Sequence, residues 1–70
     1  MMPITFATPG EENIILKVGG NPEVKRHLEN LGFTPGGYVT LVSVLGGNVI
    51  VKVKESRIAL NEEMARKVMI

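Results

Sequence analysis

One histidine and no cysteine occur in these 70 residues, so the chemistry open to the chain is narrow. His27 stands four residues after Glu23. On a helix that spacing puts imidazole and carboxylate on one face, a two-ligand clip of a kind Fe²⁺ or Zn²⁺ accepts. A glutamate at a helix start is equally explained by the helix dipole, and the adjacent pair Glu62-Glu63 has the same two explanations. A nucleophile–base pair would have to join Ser43 or Ser56 to His27, and no third residue at a recognisable spacing orients the imidazole. None of the glycine pairs belongs to a phosphate-loop pattern. The expectation is a protein that is not an enzyme and holds no tightly bound cofactor. At most, His27 and Glu23 coordinate a transition metal weakly.

Charge points instead to binding. Lys25 and Arg26 fall on the same segment as His27, and Lys52, Lys54 and Arg57 come near the end of the chain. Such residues keep a small domain soluble, or steer it toward an acidic partner. Lys25, Arg26 and Arg57 are the candidates for partner contact. Net charge is only +1, with eight Lys/Arg against seven glutamates, and the aromatics are Phe6, Phe33 and Tyr38 alone. A nucleic-acid binder draws its affinity from phosphate neutralisation and stacking, so this composition argues against that role. Apolar residues do not run long enough to span a membrane, and Met1–Phe6 lacks the basic and apolar regions of a signal peptide. A cytoplasmic protein with no membrane insertion is expected.

The elements that must position these side chains are legible around Asn21–Leu41. Asn21 can cap a helix, Pro22 suits its first position, and Val24, Leu28 and Leu31 share one apolar stripe. Gly32 supplies a left-handed stop, which lets Phe33 fold back on Leu28. Thr34-Pro35-Gly36-Gly37 reads as a type II turn. Strands are expected around Ile14, Leu16 and Val18, over Tyr38–Leu45, over Val49–Lys54 after the Gly46-Gly47-Asn48 loop, over Arg57–Leu60, and at Val68–Ile70. Ile15, Val42, Val44 and Ile50 fall on the opposite strand faces, where a contiguous exposed patch would mark a partner surface. Asn61 can cap a second helix. A Thr-Pro-Gly opening occurs twice, at Thr8 and Thr34, and reads as the same turn grammar reused rather than a duplicated unit. The sum is one domain over residues 1–70, mostly β with two short helices: a small barrel of about five strands, with one helix inserted between the first two.

The run Leu28-Glu29-Asn30-Leu31-Gly32-Phe33-Thr34-Pro35-Gly36 resembles the L-x-x-L-G-[FLM]-x-P-G signature of the FeoA family, small bacterial proteins associated with ferrous iron transport. Arg57-Ile58-Ala59-Leu60 before Glu63-Met64-Ala65 is similar to that family's R-[IL]-A-L ending. By this likeness Leu28, Leu31, Gly32, Pro35, Gly36, Ala59, Leu60 and Ala65 are signature positions. Glu55 departs from the pattern, since many relatives have glycine there. The resemblance implies an SH3-like barrel and an accessory role on the membrane GTPase-transporter FeoB. As an alternative, it implies a transition-metal-responsive domain like the C-terminus of iron-dependent repressors, for which the ligand set here is poor.

Overall fold

The computed structural model describes residues 1–70. Helix α1 spans Pro22–Asn30, and the Asn21 side chain accepts a hydrogen bond from the Val24 amide at 2.9 Å. That bond satisfies one of the free amides of the first turn. The stop is a Schellman arrangement: the Gly32 amide donates to the Glu29 carbonyl and the Phe33 amide to the Leu28 carbonyl, each at 3.0 Å. It requires Gly32 at φ +109°, where an L side chain is strained. Leu28 and Phe33 are both fully buried.

The next turn bonds the Gly37 amide to the Thr34 carbonyl, with Gly36 at φ +90°. Thr8-Pro9-Gly10-Glu11 repeats it, with Gly10 at φ +86°. The two turns lead into different elements, the Thr8 turn into a three-residue strand and the Thr34 turn into an eight-residue one. This is one turn type used twice.

Six strands form where five are expected. Strands β1 (Glu12–Ile14), β3 (Tyr38–Leu45), β4 (Asn48–Val53) and β5 (Ser56–Asn61) make an antiparallel sheet in the order β1-β3-β4-β5. A second sheet pairs β2 (Lys17–Val18) with β6 (Val68–Met69). Reading Ile14, Leu16 and Val18 as one half-buried face is therefore wrong. Ile14 and Leu16 are exposed, whereas Ile15 is fully buried. The cause is a change of sheet. Ile15 exchanges backbone bonds with Gly36 and Gly37, and the next amide, Leu16, bonds Met69. The alternation restarts there, which splits the expected strand and leaves α1 between β2 and β3. The two sheets curl about the core without their hydrogen bonding closing into a ring.

A second reset occurs in β3, where a bulge interrupts its pairing with β4 between Leu41 and Ser43. Val39 and Leu41 point inward before it. Beyond it Val44 pairs with buried Val49 and so shares the inward side. Helix α2 (Glu62–Ala65) is one turn long, capped by the Asn61 side chain on the Met64 amide at 2.7 Å. One apolar cluster of 14 buried residues runs from Ile4 to Val68, with Val24, Leu31, Ile58, Met64 and Ile70 packed against it.

Two substitutions check this account. A Cβ at Gly32 would approach Val53 no closer than 3.6 Å, so space is not the obstacle. Gly32→Ala should still cost about 1 kcal/mol or more, because the backbone conformation is strained. Leu28→Ala should cost about 2–5 kcal/mol through the lost contact and the cavity left behind. Urea unfolding of both variants measures the losses, and near-wild-type stability for either would remove the element assigned to it.

Candidate docking surface

Sequence-level candidates distribute over three surfaces. Glu23 and His27 do share a face of α1, in a shallow hollow completed by Pro22, Arg26 and Asn30. Both side chains are exposed and neither makes a hydrogen bond or ion pair. Arg26 sets a guanidinium in the same hollow, which opposes a cation. No group of three or more His, Asp or Glu side chains converges anywhere in the molecule. Two ligands without a third give no preorganised shell. Glu62 is occupied, since it pairs with Arg66 one helical turn on. Neither Ser43 nor Ser56 hydrogen-bonds His27.

The basic candidates divide in two. Lys25 and Arg26 stand on α1, whereas Arg57 lies on the outer face of β5 in register with Lys52 of β4. Lys52 and Lys54 border a hollow with Glu12, Thr40 and Tyr38. The departure at Glu55 has a different meaning from the one its charge suggests. The strained residue of that turn is its neighbour Lys54, at φ +55°, the one non-glycine residue with positive φ. Its aliphatic stem lies over Gly32, so the hairpin tip packs on the helix stop.

Of the sequence candidates, only Val44 and Glu62 reach the third surface. A 3₁₀ turn, Ile4–Phe6, buries Ile4 and so turns Phe6 outward, 71% exposed. Together with Pro3, Thr5, Val44, Gly46, Gly47, Val49 and the Glu62–Arg66 pair, Phe6 lines a groove of about 400 Å³. Val44 is 56% exposed and Leu45, at the hairpin tip, 66%. Of the four residues on the opposite strand faces, Ile15 is core, Val42 and Ile50 are half-buried, and Val44 alone reaches this patch. The one signal in the sequence is the bare fact of two large apolar residues two positions apart, Ile4 and Phe6, only one of which a short turn can bury.

Comparison with known proteins now places the chain. The FeoA domain profile matches residues 2–70. An Fe(2+) transport protein A of Methanocaldococcus jannaschii is 31% identical over 70 residues, all of this chain and 85% of that protein. The chain belongs to the FeoA family. Among solved structures, the zinc complex of FeoA from Stenotrophomonas maltophilia superposes with a TM-score of 0.84 at 27% identity. It covers 99% of this chain and 88% of that one, and is described as a prokaryotic SH3 domain protein. The iron(II) transport protein A of Clostridium thermocellum gives a TM-score of 0.86 at 25% identity, over 96% of this chain and 43% of its own length. The small barrel expected from the strand pattern is thus of the SH3-like kind. Within it, the FeoA signature positions are mostly structural. Leu28, Leu60 and Ala65 are buried, Leu31 packs on the core, and Gly32, Pro35 and Gly36 make the turns. Ala59 is the exception, exposed on β5.

Because Phe6 and Leu45 contribute little buried area, Phe6→Ser and Leu45→Ser should each change stability by less than about 0.5 kcal/mol in thermal unfolding. A large drop would make these residues part of the core rather than a free surface.

Proposed function

We propose that this FeoA-family chain is a non-enzymatic accessory module of ferrous iron transport that docks, on the cytoplasmic side, on a FeoB-like GTPase-transporter. The observation that carries the reading is the groove beside Phe6. A 70-residue domain gains little by leaving Phe6, Val44 and Leu45 in water, and such a patch is the ordinary mark of a protein partner. The iron transport names of the relatives supply the pathway. Lys25, Arg26 and Arg57, on faces away from the groove, steer the encounter at longer range and act on association rate more than on lifetime. Iron is the transporter's cargo in this scheme, and the module itself needs no resident metal.

A titration against the soluble part of such a transporter tests the proposal. Phe6→Ser should weaken binding at every ionic strength. Neutralising Lys25, Arg26 and Arg57 should slow association at low salt and matter little at high salt, where screening has already removed the attraction. Equal binding by the Phe6→Ser variant would remove the groove from the interface.

The zinc-complexed relative favours stating one rival, a metal-responsive regulatory domain. Calorimetry separates the two. The docking module should bind Fe²⁺ or Zn²⁺ weakly or not at all, since the hollow at Glu23 and His27 offers two ligands and a neighbouring guanidinium. Stoichiometric binding abolished by His27→Ala would favour the sensor.

A further inference from the structure

We propose that the free edge of β5 takes up an extended acidic segment of another protein as an added antiparallel strand. This goes beyond docking through the groove and does not rest on it.

The four-stranded sheet has two edges, β1 and β5. β1 is three residues long and carries Glu12, so it offers little to pair with. β5 is six residues long, contains no proline, and pairs with β4 without a bulge. The alternation of an antiparallel ladder determines which of its backbone groups remain free. The two-residue turn Lys54-Glu55 closes on the pair Val53 and Ser56. At the other end the Glu62 amide bonds the Gly47 carbonyl at 3.2 Å. Counting alternately from either end gives the same result: Ser56, Ile58 and Leu60 turn their backbone groups toward β4. Arg57 and Ala59 turn theirs away from it. No backbone bond outside the ladders involves Arg57 or Ala59, and both residues are exposed. Four aligned donors and acceptors therefore face open space, which is what strand addition requires.

The side chains state which strand fits. In register, Arg57 lies beside Lys52, and Ala59 beside half-buried Ile50. The one ion pair in the molecule joins Glu62 and Arg66, so neither Arg57 nor Lys52 has a carboxylate partner. An added antiparallel strand places one residue against Arg57, and the residue two positions earlier in its own sequence against Ala59. A carboxylate is favoured at the first place. At the second, the small Ala59 leaves room for a bulky apolar side chain to cover Ile50. The recognised pattern reads apolar–x–Asp/Glu from N- to C-terminus. A second copy of β5 fits less well. The two-fold registers that pair both Arg57 and Ala59 within β5 set Arg57 against Ala59 or Asn61, never against a carboxylate.

The test uses the whole ¹⁵N-labelled chain and a blocked peptide, Thr-Val-Thr-Glu-Val-Thr. At saturation the Arg57 and Ala59 amides should exchange with solvent more slowly and shift more than those of Phe6 and Val44. Lysine in place of the peptide's glutamate should weaken binding roughly five-fold, and Arg57→Glu should reverse that preference. Ala59→Pro should abolish binding while the chain stays folded, because that amide serves no bond in the ladder. If this variant unfolds, the charge reversal at Arg57 still decides. Phe6→Ser should leave peptide affinity unchanged, which separates failure here from failure of the groove. Equal affinity for the glutamate and lysine peptides, unchanged exchange at Arg57 and Ala59, or shifts centred on Phe6 would overturn the proposal. So would protection of these amides that rises with protein concentration and accompanies a sedimenting dimer, which would assign the edge to a second copy.

Discussion

Gly32 at φ +109° is the hinge on which the rest of this small structure turns. It ends α1 so abruptly that Phe33, the largest fully buried side chain, swings back beneath Leu28. Just beyond it, Gly36 and Gly37 exchange backbone bonds with Ile15, at the point where the chain passes from one sheet to the other. The helix stop, the turn and the junction of the sheets are thus one continuous hydrogen-bonded connector. Even the β4–β5 hairpin leans on it, through the Lys54 stem over Gly32. An error of one residue in this connector would misplace the register of β3, and with it the faces of β4 and β5.

Such economy is a consequence of size. With 14 buried residues in one cluster and no disulfide, the domain has little stability to spare. Most of its polar backbone is satisfied by ladders and tight turns, and no buried side-chain polar atom is left without a partner. Against that background, exposed Phe6, Val44 and Leu45 are informative. A domain with so small a core would gain by covering them, and the groove that Phe6 and Val44 line lies between three separate elements, the 3₁₀ turn, the β3–β4 hairpin and α2. That arrangement is what the docking proposed above draws on.

Family membership gives the context of iron transport, and the geometry shows no convergent set of ligands or catalytic side chains. The relatives are ferrous iron transport proteins, yet the carboxylates here are dispersed, and the single imidazole sits on an exposed helix face beside an arginine. The proposed function rests on surfaces: an apolar groove at one end of the sheet, a cationic outer face, and a strand edge with its hydrogen bonds unspent. Surfaces of this kind are what small barrels use to recognise other proteins.

Local grammar determined much of this protein before any folding is considered. The Asn21 and Asn61 caps, the Gly32 stop, the Pro35-Gly36 turn, both helices and the long β3–β4 hairpin depend on neighbours within a few residues, and their residue types state them directly. Tertiary structure alone decided three things. It split the first strand at Ile15, because only the Gly36-Gly37 turn and Met69, both distant in sequence, supply the bonds that change its sheet. It moved Val44 to the side of the sheet that Val49 occupies, at the lip of the groove, because the bulge after Leu41 shifts the side-chain alternation and leaves no mark in the apolar pattern. And it assembled the groove from Phe6, Val44 and Glu62, residues that no spacing rule connects, since a surface exists only once separate elements have been brought side by side.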